Sequence, residues 1–169
     1  MYHVILAGGS GTRFWPYSRK RKPKQLLKIF SDKSMIQMTL DRILKFSTIE
    51  KIYIEQPLHM FMKGKSSAKT LSALMTFNGV VSWLVYEMFE IEPKYLAATS
   101  ARKHCGIKVK RGEKSKEVVL QHLLDNEPAF KISYTKYGNP KAESYDQADA
   151  IVIAKAGDII EKGIEITEG

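Results

Sequence analysis

Residues 4–27 read VILAGGSGTRFWPYSRKRKPKQLL, and this stretch decides how the fold begins. Val4–Ala7 is a short apolar run that stops in glycines, the pattern of a buried strand entering a tight loop. Glycines there let several backbone N–H groups converge with no side chain in the way, which makes a nest for anions. Arg13 adds a planar fork of donors and Lys24 a compact positive charge, both suited to phosphate. Pro16 and Pro23 keep the basic stretch between them out of a helix. A Gly-x-Gly alone is a weak signal, because an ordinary turn followed by a solvated basic run has the same pattern.

Outward from this loop, Ser34 is placed to cap a helix over Met35–Phe46, with Ile36, Leu40, Ile43 and Leu44 at helical spacing. Lys51–Glu55 is a β-branched and aromatic strand stopped by Pro57. A long helix is expected from Ser66 or Ser67 to Phe89, with Leu71, Leu74, Met75, Val81, Leu84, Val85 and Met88 as a broad core face. Trp83 and Tyr86 on it are expected in the core or at an oligomer interface. Tyr95–Ala98 reads as a strand, Ala101–Cys105 as a short helix and Glu113–Asn126 as an amphipathic helix. Residues 131–143 form a polar loop containing Gly138-Asn139-Pro140. The last helix is expected over Ser144–Ala156, with Gly157 in the C′ position.

With 169 residues, 44% hydrophobic and 27% charged, the chain has the composition of an ordinary globular domain with its own core. The longest apolar stretch, Gly79–Phe89, is interrupted by Ser82 and Glu87 and falls short of the roughly 20 residues that span a bilayer. No membrane association and no secretory leader are expected, because the first residues run straight into strand. A single cysteine, Cys105, excludes an internal disulfide framework and makes a cytoplasmic location the default expectation. The net charge of +9 is unevenly spread. Residues 1–46 hold ten Lys or Arg against two Asp, whereas residues 47–169 hold seventeen against sixteen Asp or Glu. Bulk charge is therefore no argument for nucleic-acid binding by the second segment.

The full string GGSGTRFWPYSR followed by PKQLL closely resembles mannose-1-phosphate guanylyltransferases, within the sugar-nucleotide pyrophosphorylases. By that resemblance Gly8, Gly9, Gly11, Thr12 and Arg13 hold the nucleotide, with Arg13 and Lys24 on its phosphates. The resemblance is carried by residues 3–46, and no continuation is recognised after residue 50, where the family builds a metal-binding Asp and a sugar-phosphate pocket.

From Lys51 onward the carboxylates stand out. Glu55 ends a hydrophobic strand, a poor place for a lone charge unless it faces a metal or a cleft. Asp146 and Asp149, in SYDQADAIVIAKAG, are three apart and so share one helix face. A bound cation would offset their repulsion, but both also suit a helix N-terminal dipole. His104 and Cys105 are neighbours, so spacing gives neither a nucleophile–base pair nor a zinc site.

The strings IYIEQPLHMF, ALMTFNGVVSWLVYEMF, TSARKHCGIKV, GEKSKEVVLQHLL and YDQADAIVIA, over residues 50–157, resemble in order and spacing the RuvC-type Holliday-junction resolvases of the RNase H-like superfamily. That resemblance implies that Glu55, Asp146 and Asp149 hold two Mg²⁺ ions, with Lys114 as a further catalytic residue. It also implies DNA backbone contacts from Arg102, Lys103, Lys110, Arg111 and Lys116, a branched-DNA partner and a homodimer. The resemblance departs at the first strand, HVILAGG, which lacks the family's fourth carboxylate, so two-metal cleavage is expected to be impaired.

The expected fold is α/β, a mainly parallel sheet flanked by helices: an incomplete RNase H-like domain with a nucleotidyltransferase-type strand–loop–helix at its start. The expected segments are 1–48, 49–157 and a tail at 158–169. The first functional expectation is a Mg²⁺-dependent, structure-specific DNA endonuclease. The alternatives are a nucleotidyltransferase forming GDP-mannose from GTP and mannose 1-phosphate, binding nucleotide or sugar phosphate at the first loop, and an inactive fusion.

Overall fold

The computed structural model describes residues 3, 5, 24–45, 48–56 and 68–163, with the backbone alone for 68–71 and 73. In chain order they form a 3₁₀ turn at Lys24–Leu26, helix α1 (Met35–Leu44), strand β1 (Tyr53–Glu55), helix α2 (Ala68–Phe89) and strand β2 (Lys94–Leu96). Helices α3 (Ala98–His104), α4 (Ser115–Asn126) and α5 (Ala142–Glu161) follow. The two strands pair in one sheet. Lys94 N–H donates to the Ile52 carbonyl and Gln56 N–H to the Leu96 carbonyl, each 2.9 Å. Both strands advance together along that ladder, so the pair is parallel. The architecture is α/β. The larger RNase H-like sheet expected from the sequence does not occur among the described residues, whose sheet has two strands.

The chain divides into two compact units. One comprises Met1–Leu6, Tyr53–Gln56 and Tyr95–Gly169, and its core is continuous. Helices α3 and α4 both pack on α5, and β1 lies against it as well. Leu96, Ala101, Ile107, Val119, Leu120, Leu123, Ala148, Val152, Ile153 and Ala156 are all buried together. On α4 the buried Val119, Leu120 and Leu123 follow the helical repeat that the sequence shows. Among the described residues no helix is long and apolar enough to cross a membrane.

Local chemistry sets the ends of these helices. Helix α3 stops in a Schellman motif: Ile107 N–H reaches the Arg102 carbonyl at 2.9 Å and Gly106 N–H the Lys103 carbonyl at 3.0 Å. Gly106 sits at φ 70°, where a side chain would be strained, and the next residue, Ile107, is buried. Helix α5 begins at Ala142, slightly before the expected Ser144, and does not stop at Gly157. It runs on to Glu161, and Gly163, at φ 64°, occupies the C′ position instead. Gly157 is a packing residue: a Cβ built there would lie 2.5 Å from Cδ2 of Tyr53 on β1. The Tyr53 hydroxyl donates to Glu161 Oε1 at 2.6 Å, one turn further along α5. Burial, then the hydrogen bond to this carboxylate, push the Tyr53 phenol up to about 12.

The other unit comprises Ala7–Ile52 and Pro57–Lys94. Helix α1 is tied down at its start by side-chain capping. Ser34 accepts from Gln37 N–H while the Gln37 side chain takes the Ser34 N–H at 2.8 Å, a complete capping box. Helix α1 buries Ile36 and Leu40 and ends at Leu44, two residues short of the expected Phe46. Helix α2 begins among the described residues at Ala68; Ser66 and Ser67, the expected caps, lie outside them. Its broad core face is only partly realised: Val81 and Val85 are buried, but Leu74 and Met75 are exposed.

Candidate functional site

Gly8, Gly9, Gly11, Thr12 and Arg13 lie outside the described residues. Lys24, expected on the nucleotide phosphates, lies within them at the start of the 3₁₀ turn, and Leu27 N–H closes that turn onto the Lys24 carbonyl at 3.1 Å. The next residue, Gln25, is buried, as is Leu27. The Leu27 carbonyl in turn accepts the Met35 N–H at 3.1 Å, so the turn is tied to the capped start of α1. Lys33 pairs with Asp41 of α1 at 2.7 Å. Lys24 is thereby held on a short, hydrogen-bonded peg.

The carboxylates singled out by sequence lie in the other unit. Asp146 and Asp149 occupy successive turns of α5, and Glu55 ends β1, which packs on that helix. Their fields overlap. Partial burial raises the Glu55 carboxyl above its usual range, and Asp149 and Asp146 push it further while Lys116 and Arg102 oppose. Burial likewise raises Asp149, against Lys116 and Arg102. The compensating charge comes from Lys116 of α4, whose Nζ lies 3.1 Å from Asp146 Oδ1 and 3.9 Å from Asp149 Oδ2. The hydrogen bond to Asp146 raises the Lys116 ammonium in turn.

This geometry differs from a metal cage. Among the described residues, no three His, Cys, Asp or Glu side chains form a group that could hold a metal ion. The ammonium of Lys116 stands between the two aspartates, where the sequence reading placed a cation between them. That role for Lys116 was missed because the pair spans thirty positions, beyond any helical spacing. Of the remaining basic positions, Lys114 is bound to Glu117 at 2.8 Å, which raises its ammonium. Lys103, Lys110 and Arg111 are exposed, and Arg102 is half-buried.

Sequence comparison adds a finding that geometry alone does not. The nucleotidyl transferase family profile matches residues 2–162. A mannose-1-phosphate guanylyltransferase of Escherichia coli is 32% identical over 132 residues, covering 75% of this chain and 25% of that protein. A second from the same species is 46% identical over 59 residues, 35% of this chain and 13% of its own length. The alginate biosynthesis protein AlgA of Pseudomonas syringae pv. tomato is 40% identical over 68 residues, 40% of this chain and 14% of its own length. The chain thus spans a quarter or less of the length of these curated relatives. No solved structure matches it.

These matches correct two expectations. The likeness to nucleotidyl transferases does not end near residue 46, since the family match continues to residue 162. The endonuclease reading, with its branched-DNA partner, is overturned by the same match, which runs through the strand glutamate and the D-x-x-D helix that had suggested it. Spacing alone does not distinguish metal ligands from ion-paired acids, and here Lys116 answers part of the carboxylate charge. Over residues 2–162 the chain belongs to the nucleotidyl transferase family.

Proposed function

We propose that this chain is the nucleotide-binding part of a mannose-1-phosphate guanylyltransferase, the enzyme named by its relatives. What carries the reading is the 46% identity over 59 residues to one such protein, together with GGSGTR and PKQLL as they stand here. The proposed substrates are GTP and mannose 1-phosphate. A phosphate oxygen of the sugar phosphate forms a bond to the α-phosphorus of GTP, the bond from that phosphorus to the β-bridging oxygen breaks, and pyrophosphate leaves with the electron pair. Arg13 and Lys24 neutralise the phosphate charge, and the glycines at 8, 9 and 11 let backbone N–H groups approach it. The turn that ties the Lys24 backbone to α1 supports a fixed starting point for its side chain.

Magnesium, where bound in such transfers, would supply charge neutralisation at the phosphates. The described residues do not fit a resident ion: Glu55, Asp146 and Asp149 form no metal-holding group, and Lys116 already answers their charge.

The test is GTP binding by equilibrium dialysis, with pyrophosphate release in the presence of mannose 1-phosphate measured in parallel. Arg13→Ala and Lys24→Ala should each weaken GTP binding about tenfold or more, the weight of a charge-assisted hydrogen bond. GTP binding that is undetectable, or unchanged in both variants, rejects the reading.

A further inference from the structure

We propose that the cleft bounded by α3, α4 and α5 is a binding site for a small organic carboxylate. Its walls are His104 and Cys105 at the end of α3, His122 and Leu123 on α4, and Val152, Lys155 and Ile159 on α5. The cleft encloses about 190 Å³, room for several water-sized groups. Its lining belongs to one compact unit and residues 8–13 to the other, so the proposal stands independently of the transferase reading.

The chemistry of the wall selects the ligand. Leu123 and Val152, which belong to the buried core, and Ile159 supply its apolar surface. Among them stand two imidazoles and an ammonium, and no carboxylate is among the lining residues. The Cys105 thiol is engaged with the Val152 carbonyl at 3.6 Å, and burial pushes it up against the opposing effect of Lys155, so it remains a neutral part of the wall. Lys155 is held in place by its ion pair with Glu127, whose carboxylate lies outside the lining. Polar groups interleaved with methyl groups suit a short branched acid, its oxygens toward the imidazoles and its tail on Leu123 and Val152. A bare inorganic anion would leave the apolar groups wet, and a neutral amide would forgo the charge.

The experiment is an NMR titration of the full ¹⁵N-labelled chain with sodium isobutyrate, with isobutyramide and sodium phosphate as parallel probes. The expected result is saturable shifts at His104, His122 and Lys155 with isobutyrate, and affinity about tenfold weaker for each of the other probes, one charged contact or one buried apolar tail. The variant His104→Gln/His122→Gln should weaken isobutyrate about fivefold or more, and His122→Gln alone should weaken it in the same direction if the double variant does not fold. Shifts that fail to saturate, an equal response to isobutyramide or phosphate, or affinity unchanged in the folded variant would overturn the proposal.

Discussion

Helices α5 and α2 are nearly equal in length, 20 and 22 residues, yet they do opposite work. Helix α5 is mixed in composition and buries Ser144, Ala148, Val152, Ile153, Ala156 and Gly157, one side of the helix along most of its length. Helix α2 is far more apolar, yet it buries Val81 and Val85 and exposes Leu74, Met75, Trp83 and Tyr86. Burial follows the presence of packed neighbours, not the hydrophobicity of a segment. Helices α3 and α4 and strand β1 all pack on α5. Small residues let them approach: Ala101, Ala148 and Ala156 are fully buried, and Gly157 accepts an aromatic ring face.

The sharpest way to break this contrast is to hollow the core that α5 organises. Leu123 is 1% exposed and sits in the middle of the cluster, so Leu123→Ala should cost about 3–4 kcal/mol, from lost burial plus the cavity left behind. Urea denaturation followed by circular dichroism would measure it, and a loss under 1 kcal/mol would mean that the cluster is not a single core. Overfilling should come next. Gly157→Val places a branched side chain where even a Cβ is 2.5–2.9 Å from three Tyr53 ring carbons, for a loss of about 2–3 kcal/mol. In a Tyr53→Leu background the same change should cost clearly less, and strict additivity of the two would show that the contact is not what Gly157 provides.

Gly157 also shows where reading the chain fell short. A glycine after an apolar helical run has the same signature whether it ends the helix at positive φ or makes room for a neighbour. The neighbour, Tyr53, lies on a distant strand that the local string does not report. Ser34 was legible because its cap is closed by Gln37, three residues away. The same distinction runs through the site. The glycine loop and PKQLL are local strings, and the family match agrees with the family they suggested. Glu55, Asp146 and Asp149 were read as metal ligands from local spacing, whereas the charge that answers them arrives from Lys116 on another helix. Local patterns reported the cap at Ser34 and the family; they were silent on partners brought together by packing.

Smaller effects test the locally ordered parts. Ser34→Ala removes one half of the capping box on α1 and should cost about 1 kcal/mol, read from the thermal midpoint. A change within error would leave α1 held by Ile36 and Leu40 alone. Lys116→Met concerns the carboxylates of the other unit. Lys116 is well exposed, so at neutral pH its loss should cost only about 0.5–1 kcal/mol. The pH dependence carries more information. Glu55 and Asp149 both have carboxyls raised in the folded protein. Their protonated forms therefore favour folding below the unfolded carboxyl range, and that contribution is lost as pH rises through the raised folded values. Without Lys116 the folded values should climb further, so the variant should lose more stability near pH 7 than near pH 4. An equal loss at both would show that the lysine acts by packing and not by charge.

The smallest effect belongs to the helix with the most apolar surface. Trp83 on α2 is 59% exposed, so truncating it removes little area that folding had hidden from water. Trp83→Ala should therefore change stability by less than about 0.5 kcal/mol, as is usual for exposed positions outside a special network. Alanine also has the higher helix propensity, which offsets part of the lost contact. A tryptophan in the middle of a long helix would ordinarily be the first candidate for a core residue, and Leu123 on a far more polar helix would come later. If Trp83→Ala destabilised the protein as much as Leu123→Ala, the ranking of these two helices would be reversed, and apolar composition would be the better guide to where this fold is held together.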